Sequence, residues 1–162
     1  MGGLFFNKTK EKIVEEILLS NYNQYYRLAY SYVHNGDDAC DIVQNGAYKA
    51  IRNVRSLKHE EYASTWLYRI MLNEIFTFCK KQKDRVTSFI QIEQAAEDNY
   101  EDIDLRRALE TLSDEERMIV ELKYFEDMKL EEIAEIMNEN LSTVKSRLYR
   151  SLRKLRIKLE NE

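Results

Sequence analysis

The 162-residue sequence contains no proline and only four glycines, Gly2, Gly3, Gly36 and Gly46. Tight turns draw on those two residue types, glycine for a positive φ and proline for a preset one. A sheet-rich chain of this length needs many such turns, so their scarcity predicts an all-α protein. Apolar residues make up 44% of the chain, enough to fill compact cores. The length suits two small domains as well as one.

Apolar spacing places the helices. Between about Lys10 and Val33, the residues Ile13, Ile17, Leu18, Tyr25, Leu28, Ala29 and Tyr32 recur at helical intervals. Asn35-Gly36 ends that helix, and Asp37 and Asp38 offer an N-cap and first-turn acids to a second one running to about Arg55. After a polar loop, Ser56 to Glu61, a third helix runs from about Tyr62 to Lys83. From Asp84 to Asp104 the chain is polar, acidic and weakly periodic, as a linker is. Helices resume near Ile103. Ser113 and Glu116 form an S-x-x-E capping box that opens a helix to about Phe125. Leu130, Ile133, Ala134 and Met137 give a short helix one apolar face, and Asn138-Glu139-Asn140 makes a turn. Ser142 can cap a last helix from Thr143 to about Leu159. The expected organisation is a helical domain at 1–84, a flexible acidic linker at 85–103 and a second helical domain at 104–162.

Charge is segregated along the chain. The formal net charge of -4 argues by itself against nucleic-acid binding. Yet from Lys145 to Lys158 there are seven Lys or Arg and no Asp or Glu, while acids dominate from Glu93 to Glu139. An acidic protein with one concentrated basic helix can still bind DNA locally. Cys40 and Cys79, far apart, read as small semi-buried residues in a reducing cytosol, and with His34 and His59 they make no zinc site. No apolar run reaches the roughly 18 residues of a membrane span, and the start is too short for a signal sequence. No phosphate loop, metal cluster or nucleophile–base pair stands out, so neither a cofactor nor an enzymatic activity is expected. The chain reads as cytoplasmic.

Three constellations carry a function. The first is the C-terminal helix pair, a short helix, a polar turn and a basic helix, which is a helix-turn-helix pattern whose second helix enters the major groove. At about 100° per residue, Val144, Leu148, Leu152 and Leu155 share the arc that packs inward. Ser146, Tyr149, Arg150 and Arg153 share the opposite arc, flanked by Thr143 and Lys154, and offer base edges and phosphates the donors they need. A solvated basic face is the competing reading. The second is the third helix. Leu67, Met71, Ile75 and Phe78 form its buried side, and Arg69, Asn73, Thr77 and Lys80 a polar stripe bordered by Trp66 and Phe76. Cations and amides beside aromatic rings suit unstacked single-stranded DNA. The plainer alternative is that the rings belong to the core. The third is the acidic helix start Asp37 to Gln44, which either caps its helix or docks on a protein.

In this order the pieces resemble a known family. Asp38-Ala39-Cys40-Asp41-Ile42-Val43-Gln44 is similar to the D-A-x-D-[LIV]-[VT]-Q signature of sigma-factor region 2. Trp66-Leu67-Tyr68-Arg69-Ile70 with Asn73 is similar to that region's W-L-[YR]-[RK]-I-x-x-N motif. Leu130 to Met137, then Ser142-Thr143-Val144-Lys145-Ser146-Arg147-Leu148-Tyr149-Arg150, resembles region 4. The match runs from about Tyr22 to Leu159, leaving no room for the extra regions of housekeeping sigma factors, so the resemblance is to the extracytoplasmic-function group. It implies an alternative sigma factor that binds core RNA polymerase and directs transcription from particular promoters, in an envelope or extracytoplasmic stress response. Asp38, Asp41 and Gln44 would dock on the coiled coil of the polymerase beta-prime subunit. Asn73 would read a flipped-out base of the minus-ten element, the loop Ser56 to Glu61 would help hold that base, and Trp66, Arg69, Thr77 and Lys80 would follow the strand. Thr143, Lys145, Ser146, Tyr149, Arg150, Arg153 and Lys154 would meet the minus-thirty-five element, and Lys123 a phosphate. The acidic linker would thread the polymerase's RNA channel, and an anti-sigma factor, membrane-anchored in many members, would hold the protein inactive.

The chain departs from the family pattern in places. Asn45-Gly46-Ala47 stand where the family usually has Glu and then, two positions on, a large apolar residue. Ser113 replaces a common proline, and the proline before the recognition helix is absent; the capping serines substitute for both. Two rivals compete with the sigma-factor reading. A repressor or activator with an unrelated partner domain explains the C-terminus but not Trp66 to Lys81 or Asp37 to Gln44. A helical adaptor that binds only protein sits poorly with the basic face from Lys145 to Lys158.

Overall fold

The computed structural model describes residues 9–86 and 100–160. Thr9 opens the first helix, α1 (Lys10–Val33), by accepting a hydrogen bond from the Lys12 amide, one of those a first turn leaves without a partner. His34 closes it in the left-handed conformation, φ 52°. The cap of α2 (Gly36–Arg52) is Asn35, whose side chain accepts from the Asp38 amide at 3.0 Å. Asp37 and Asp38 therefore serve only as first-turn acids, favoured there by the helix dipole. Two 3-10 turns, Val54–Ser56 and Glu60–Tyr62, lead into α3 (Ala63–Val86).

The chain divides into two compact units, Met1–Phe89 and Ile90–Glu162. In the first, α1, α2 and α3 pack in all three pairings. Tyr25, Leu28 and Ala29, Ile42, Val43 and Ala50, and Leu67, Met71 and Ile75 are the buried contributions of the three helices. Each large side chain among them contributes about 1.5–3 kcal/mol of burial. The Tyr25 and Tyr68 rings meet edge to face with centroids 5.1 Å apart. Phe78, expected inside, is half-buried, and Cys79 takes the inward position instead. The seam of α3 keeps its four-residue step from Leu67 through Met71 and Ile75, so position 79 follows.

Gly46 explains itself here. A Cβ at that position would lie 2.5 Å from Met71 Sδ, so the missing side chain leaves the space on α2 that the buried end of Met71 fills. One turn further along, Lys49 and Glu74 form an ion pair across the same contact. At Gly46 the departure is thus matched by Met71 across the α2–α3 seam.

In the second unit, Ser113 caps α5 (Asp114–Tyr124) by accepting from the Glu116 amide at 3.2 Å, half of the expected capping box. Six consecutive residues of α5, Arg117–Leu122, are buried, so the middle of this helix is covered all round. It packs against α6 (Leu130–Met137) and α7 (Leu141–Glu160), and α4 (Tyr100–Glu110) packs on α7. Arg117 and Glu121, one turn apart and both buried, pair at 3.2 Å. Asn138 ends α6 in the left-handed conformation that asparagine tolerates well, φ 55°. The Val144 amide bonds the Asn140 carbonyl at 3.0 Å, so α7 starts at Leu141 and Ser142 lies within its first turn, not before it. Of the segment 85–103, Arg85 and Val86 belong to α3 and Tyr100–Ile103 to α4; the rest of the acidic run lies outside the described residues. Among the described residues there is no strand, and no helix is long and apolar enough to cross a membrane.

Candidate nucleic-acid and docking interfaces

The turn Asn138–Asn140 joins α6 to α7 as a helix-turn-helix, and α7 presents a divided surface. Val144, Leu148, Ser151 and Leu155 are its buried residues. Leu152, placed inside by the sequence arc, is half-buried, and Ser151 occupies the seam in its stead. A small hydroxyl fits there because it has partners: its one proton points to the Arg147 carbonyl at 2.6 Å and is shared, over a longer 3.2 Å, with Glu116 Oε2. Lys145, Ser146, Tyr149, Arg150 and Arg153 are exposed on the other side, Tyr149 by 62%. Thr143 is half-buried, as is Lys123 near the end of α5.

Ion pairs sort the seven cations of α7. Arg147 pairs with Glu139, Lys154 with Glu116 and Arg156 with Glu160, each at 3.0 Å. Lys145, Arg150, Arg153 and Lys158 have no ion-pair partner among the described residues, and the first three are cations of the outward face. A cation already neutralised by a neighbouring carboxylate adds little to phosphate attraction, whereas an unneutralised one releases counterions when it meets DNA. Partial burial pushes the Glu116 carboxyl up, but hydrogen bonds from Lys154 and Ser113, the Lys154 charge and the Ser151 hydroxyl outweigh it and hold the group below its ordinary range.

On α3 the expected stripe is real. Arg69, Asn73, Thr77 and Lys80 are all exposed, and Trp66 beside them is half-buried. Phe76 divides its loyalties: half-buried, it also meets Tyr32 edge-on at 6.3 Å and so belongs partly to the core. The connection before α3 is tied to α1, where Lys10 Nζ donates to the Leu57 carbonyl at 2.6 Å. A cavity of about 410 Å³ lies against it, lined by Thr9, Lys10, Glu11, Val54, Arg55 and Glu60; Asn73 is not in that lining.

On α2, Asp41 and Gln44 are exposed and Asp38 is half-buried. Two residues that the sequence reading passed over continue their line, Tyr48 at 64% exposure and Ile51 at 53%. The signal was available, since 41, 44, 48 and 51 follow helical spacing and large apolar side chains on an otherwise polar face need a reason. Among the described residues no group of three or more His, Cys, Asp or Glu could hold a metal ion.

Comparison with known proteins agrees with this geometry. The family described as Sigma-70 region 2 matches residues 17–85, and Sigma-70 region 4 matches residues 102–155. The chain is 40% identical over 161 residues to the RNA polymerase sigma factor SigV of Bacillus subtilis, covering 96% of each chain. It is 30% identical over 155 residues to the ECF RNA polymerase sigma factor SigW of the same organism, covering 84% of this chain and 83% of the relative. Among solved structures it is similar to the sigma factor RpoE of Bartonella quintana, crystallised with the anti-sigma factor NepR, with a TM-score of 0.69 and 26% identity over 90% of this chain and 96% of that one. CnrH, solved in complex with the cytosolic domain of CnrY, shares the fold at a TM-score of 0.67 and 18% identity. The chain belongs to the extracytoplasmic-function group of the sigma-70 family. It is an alternative sigma factor, a regulator that directs RNA polymerase in transcription initiation.

Proposed function

We propose that the two recognition tasks of this sigma factor are divided between α3 and α7, and that α2 supplies the dock. The exposed line of Asp38, Asp41, Gln44, Tyr48 and Ile51 meets the beta-prime coiled coil of core polymerase, acids and amide supplying direction and the two apolar residues supplying buried area. Asn73 reads an extruded base of the minus-ten strand, Arg69, Thr77 and Lys80 follow its backbone, and Trp66 offers a ring for stacking. Thr143, Lys145, Ser146, Tyr149, Arg150 and Arg153 meet the minus-thirty-five duplex, with Lys123 at a phosphate. The domains are those at 1–84 and 104–162, with the acidic segment between them in the polymerase's RNA channel. The protein acts in the cytoplasm, in an envelope stress response, under an anti-sigma factor anchored in the membrane. Support for an anti-sigma partner, though not for its anchor, comes from the solved sigma factor crystallised with one.

The observation that carries the DNA reading is the sorting of charge on α7. Intramolecular carboxylates take Arg147, Lys154 and Arg156, while Lys145, Arg150 and Arg153 stand clear of them on the face that leads away from the core. A merely solvated basic face has no reason to be sorted in this way. The test uses holoenzyme and a library randomised at both promoter elements. Arg150→Ala is expected to cost about 1–3 kcal/mol and to flatten preference at one or two minus-thirty-five positions. Asn73→Ala is expected to relax one minus-ten position and to leave core binding intact. If both variants lower binding uniformly over the library, neither side chain reads bases and the division of labour is wrong.

A further inference from the structure

Apolar packing fixes the depth of a helix better than its rotation, because burial is non-directional. Val144, Leu148 and Leu155 therefore seat α7 without fully setting which side chains it points outward. A directional contact does exist. The carboxylate of Glu116, on α5, takes Lys154 Nζ at 3.0 and 3.1 Å and, at 3.2 Å, a share of the Ser151 hydroxyl whose proton also meets the Arg147 carbonyl at 2.6 Å, so two residues of α7 one turn apart converge on one acceptor, Lys154 the more strongly. Ser151 is wholly buried, and the Glu116 side chain is only 13% exposed. Glu116 is itself held, since its amide bonds the capping hydroxyl of Ser113 at 3.2 Å and the six residues that follow it on α5 are buried.

We propose that Glu116 is a positioning residue for promoter readout: by gripping Ser151 and Lys154 it sets the rotation of α7, and so decides which of Ser146, Tyr149, Arg150 and Arg153 meet base edges. The proposal rests on the reading of α7 as the duplex-reading helix. A rotation of about 20° carries a side-chain tip on a helix of roughly 5–6 Å radius by about 2 Å. That displacement is enough to lose a base-edge hydrogen bond. Lys154, which sequence alone groups with the DNA contacts, then works as a strut between two helices, and its charge is already spent on Glu116.

The test compares holoenzymes carrying Glu116→Ala, Lys154→Met, the exchange Glu116→Lys with Lys154→Glu, and Arg150→Ala, each against the randomised minus-thirty-five library at several salt concentrations. Glu116→Ala is expected to reduce minus-thirty-five discrimination by about five- to tenfold, at temperatures where circular dichroism shows it fully helical, with minus-ten preference unchanged. Lys154→Met is expected to flatten the profile less and to leave the salt slope as it was. The exchange should recover part of the discrimination, because the strut is rebuilt with its charges reversed. The proposal is overturned if Glu116→Ala lowers the melting temperature but keeps the parental preference. It is equally overturned if Lys154→Met leaves the profile intact and lowers the salt slope by about one unit, which is what loss of a phosphate contact does. Should Glu116→Ala fail to fold, Lys154→Met, at a half-exposed position, and the exchange decide the matter. Arg150→Ala separates the two levels. If it leaves preference unchanged, the reading of α7 fails; if it flattens preference while the Glu116 and Lys154 variants do not, only the positioning role fails.

Discussion

Where α2 meets α3, in the N-terminal unit, a side chain is missing at Gly46 and Met71 fills the space. Where α5 meets α7, in the C-terminal unit, the contact includes a carboxylate with a hydroxyl and an ammonium group, and α5 carries a buried Arg117–Glu121 pair besides. The first arrangement is shape, indifferent to salt and acid. The second is directional, and it depends on charges whose desolvation must be offset by good geometry. The N-terminal unit does bury Glu74, but its partner Lys49 is 55% exposed, so that pair sits at the rim of the bundle. Two helical units of similar size can thus specify their packing by different means, and they should fail differently.

The sharpest break is expected at Arg117. Removing one partner of a buried ion pair leaves the other charge stranded, which costs about 3–5 kcal/mol. Arg117→Met should lower hydrogen-exchange protection in α5 and α7 by that amount and leave α1 to α3 alone. Adding Glu121→Leu should recover most of the loss, since two apolar residues of suitable volume replace such a pair well. A single variant that costs less than about 1 kcal/mol would place the C-terminal unit with the N-terminal one, held by shape.

Next in size is Gly46→Val. Three heavy atoms must enter space in which even a Cβ comes within 2.5 Å of Met71 Sδ, and overpacking of this kind costs about 1–3 kcal/mol. Trp66, the one tryptophan of the chain, lies on α3, so its fluorescence during urea denaturation reports the unit that contains the substitution. The denaturation midpoint should fall equally at low and high salt. A loss that varies with salt would show that the substitution acts through the neighbouring Lys49–Glu74 pair and not through the close approach.

This contrast was only half legible in the sequence. Helix positions followed from apolar spacing, and the outward faces of α3 and α7 followed from the same periodicity, because both depend on the order of residues within one helix. What sits opposite a residue is decided between helices, and local spacing is silent about it. Gly46 therefore looked like a departure until Met71 was seen facing it. Leu152 outranked Ser151 as a core candidate on hydrophobicity, yet Ser151 is the buried one, because Glu116, 35 residues earlier, supplies an acceptor. The pairing of Lys154 with Glu116 was hidden for the same reason. Tyr48 and Ile51 share helical spacing with Asp41 and Gln44 in the sequence, but only the packing of α2 shows that these apolar groups stay exposed.

The smallest effect separates the two units by acid. The Glu116 carboxyl is held below its ordinary range by Lys154, Ser113 and Ser151, against the opposing pull of burial. A carboxyl whose folded pKa lies below its unfolded one binds its proton more weakly when folded. Its contribution is therefore complete above the unfolded value and fades as pH falls through the folded value. Acidification from neutrality to below the ordinary carboxylate range should loosen α7 from α5, since a protonated Glu116 no longer attracts Lys154. Other carboxylates titrate in the same window, so the informative quantity is a difference between the parent and Glu116→Gln. The amide keeps an oxygen for Ser151 but carries no charge at any pH. Near neutrality Glu116→Gln should show lower hydrogen-exchange protection in α7 than the parent, and the gap should close as the pH falls, while α2 and α3 show no gap at any pH. A gap that persists undiminished in acid would mean that the carboxylate acts by shape or through Ser151 alone, and α5–α7 would then resemble the Gly46–Met71 contact more than it differs from it.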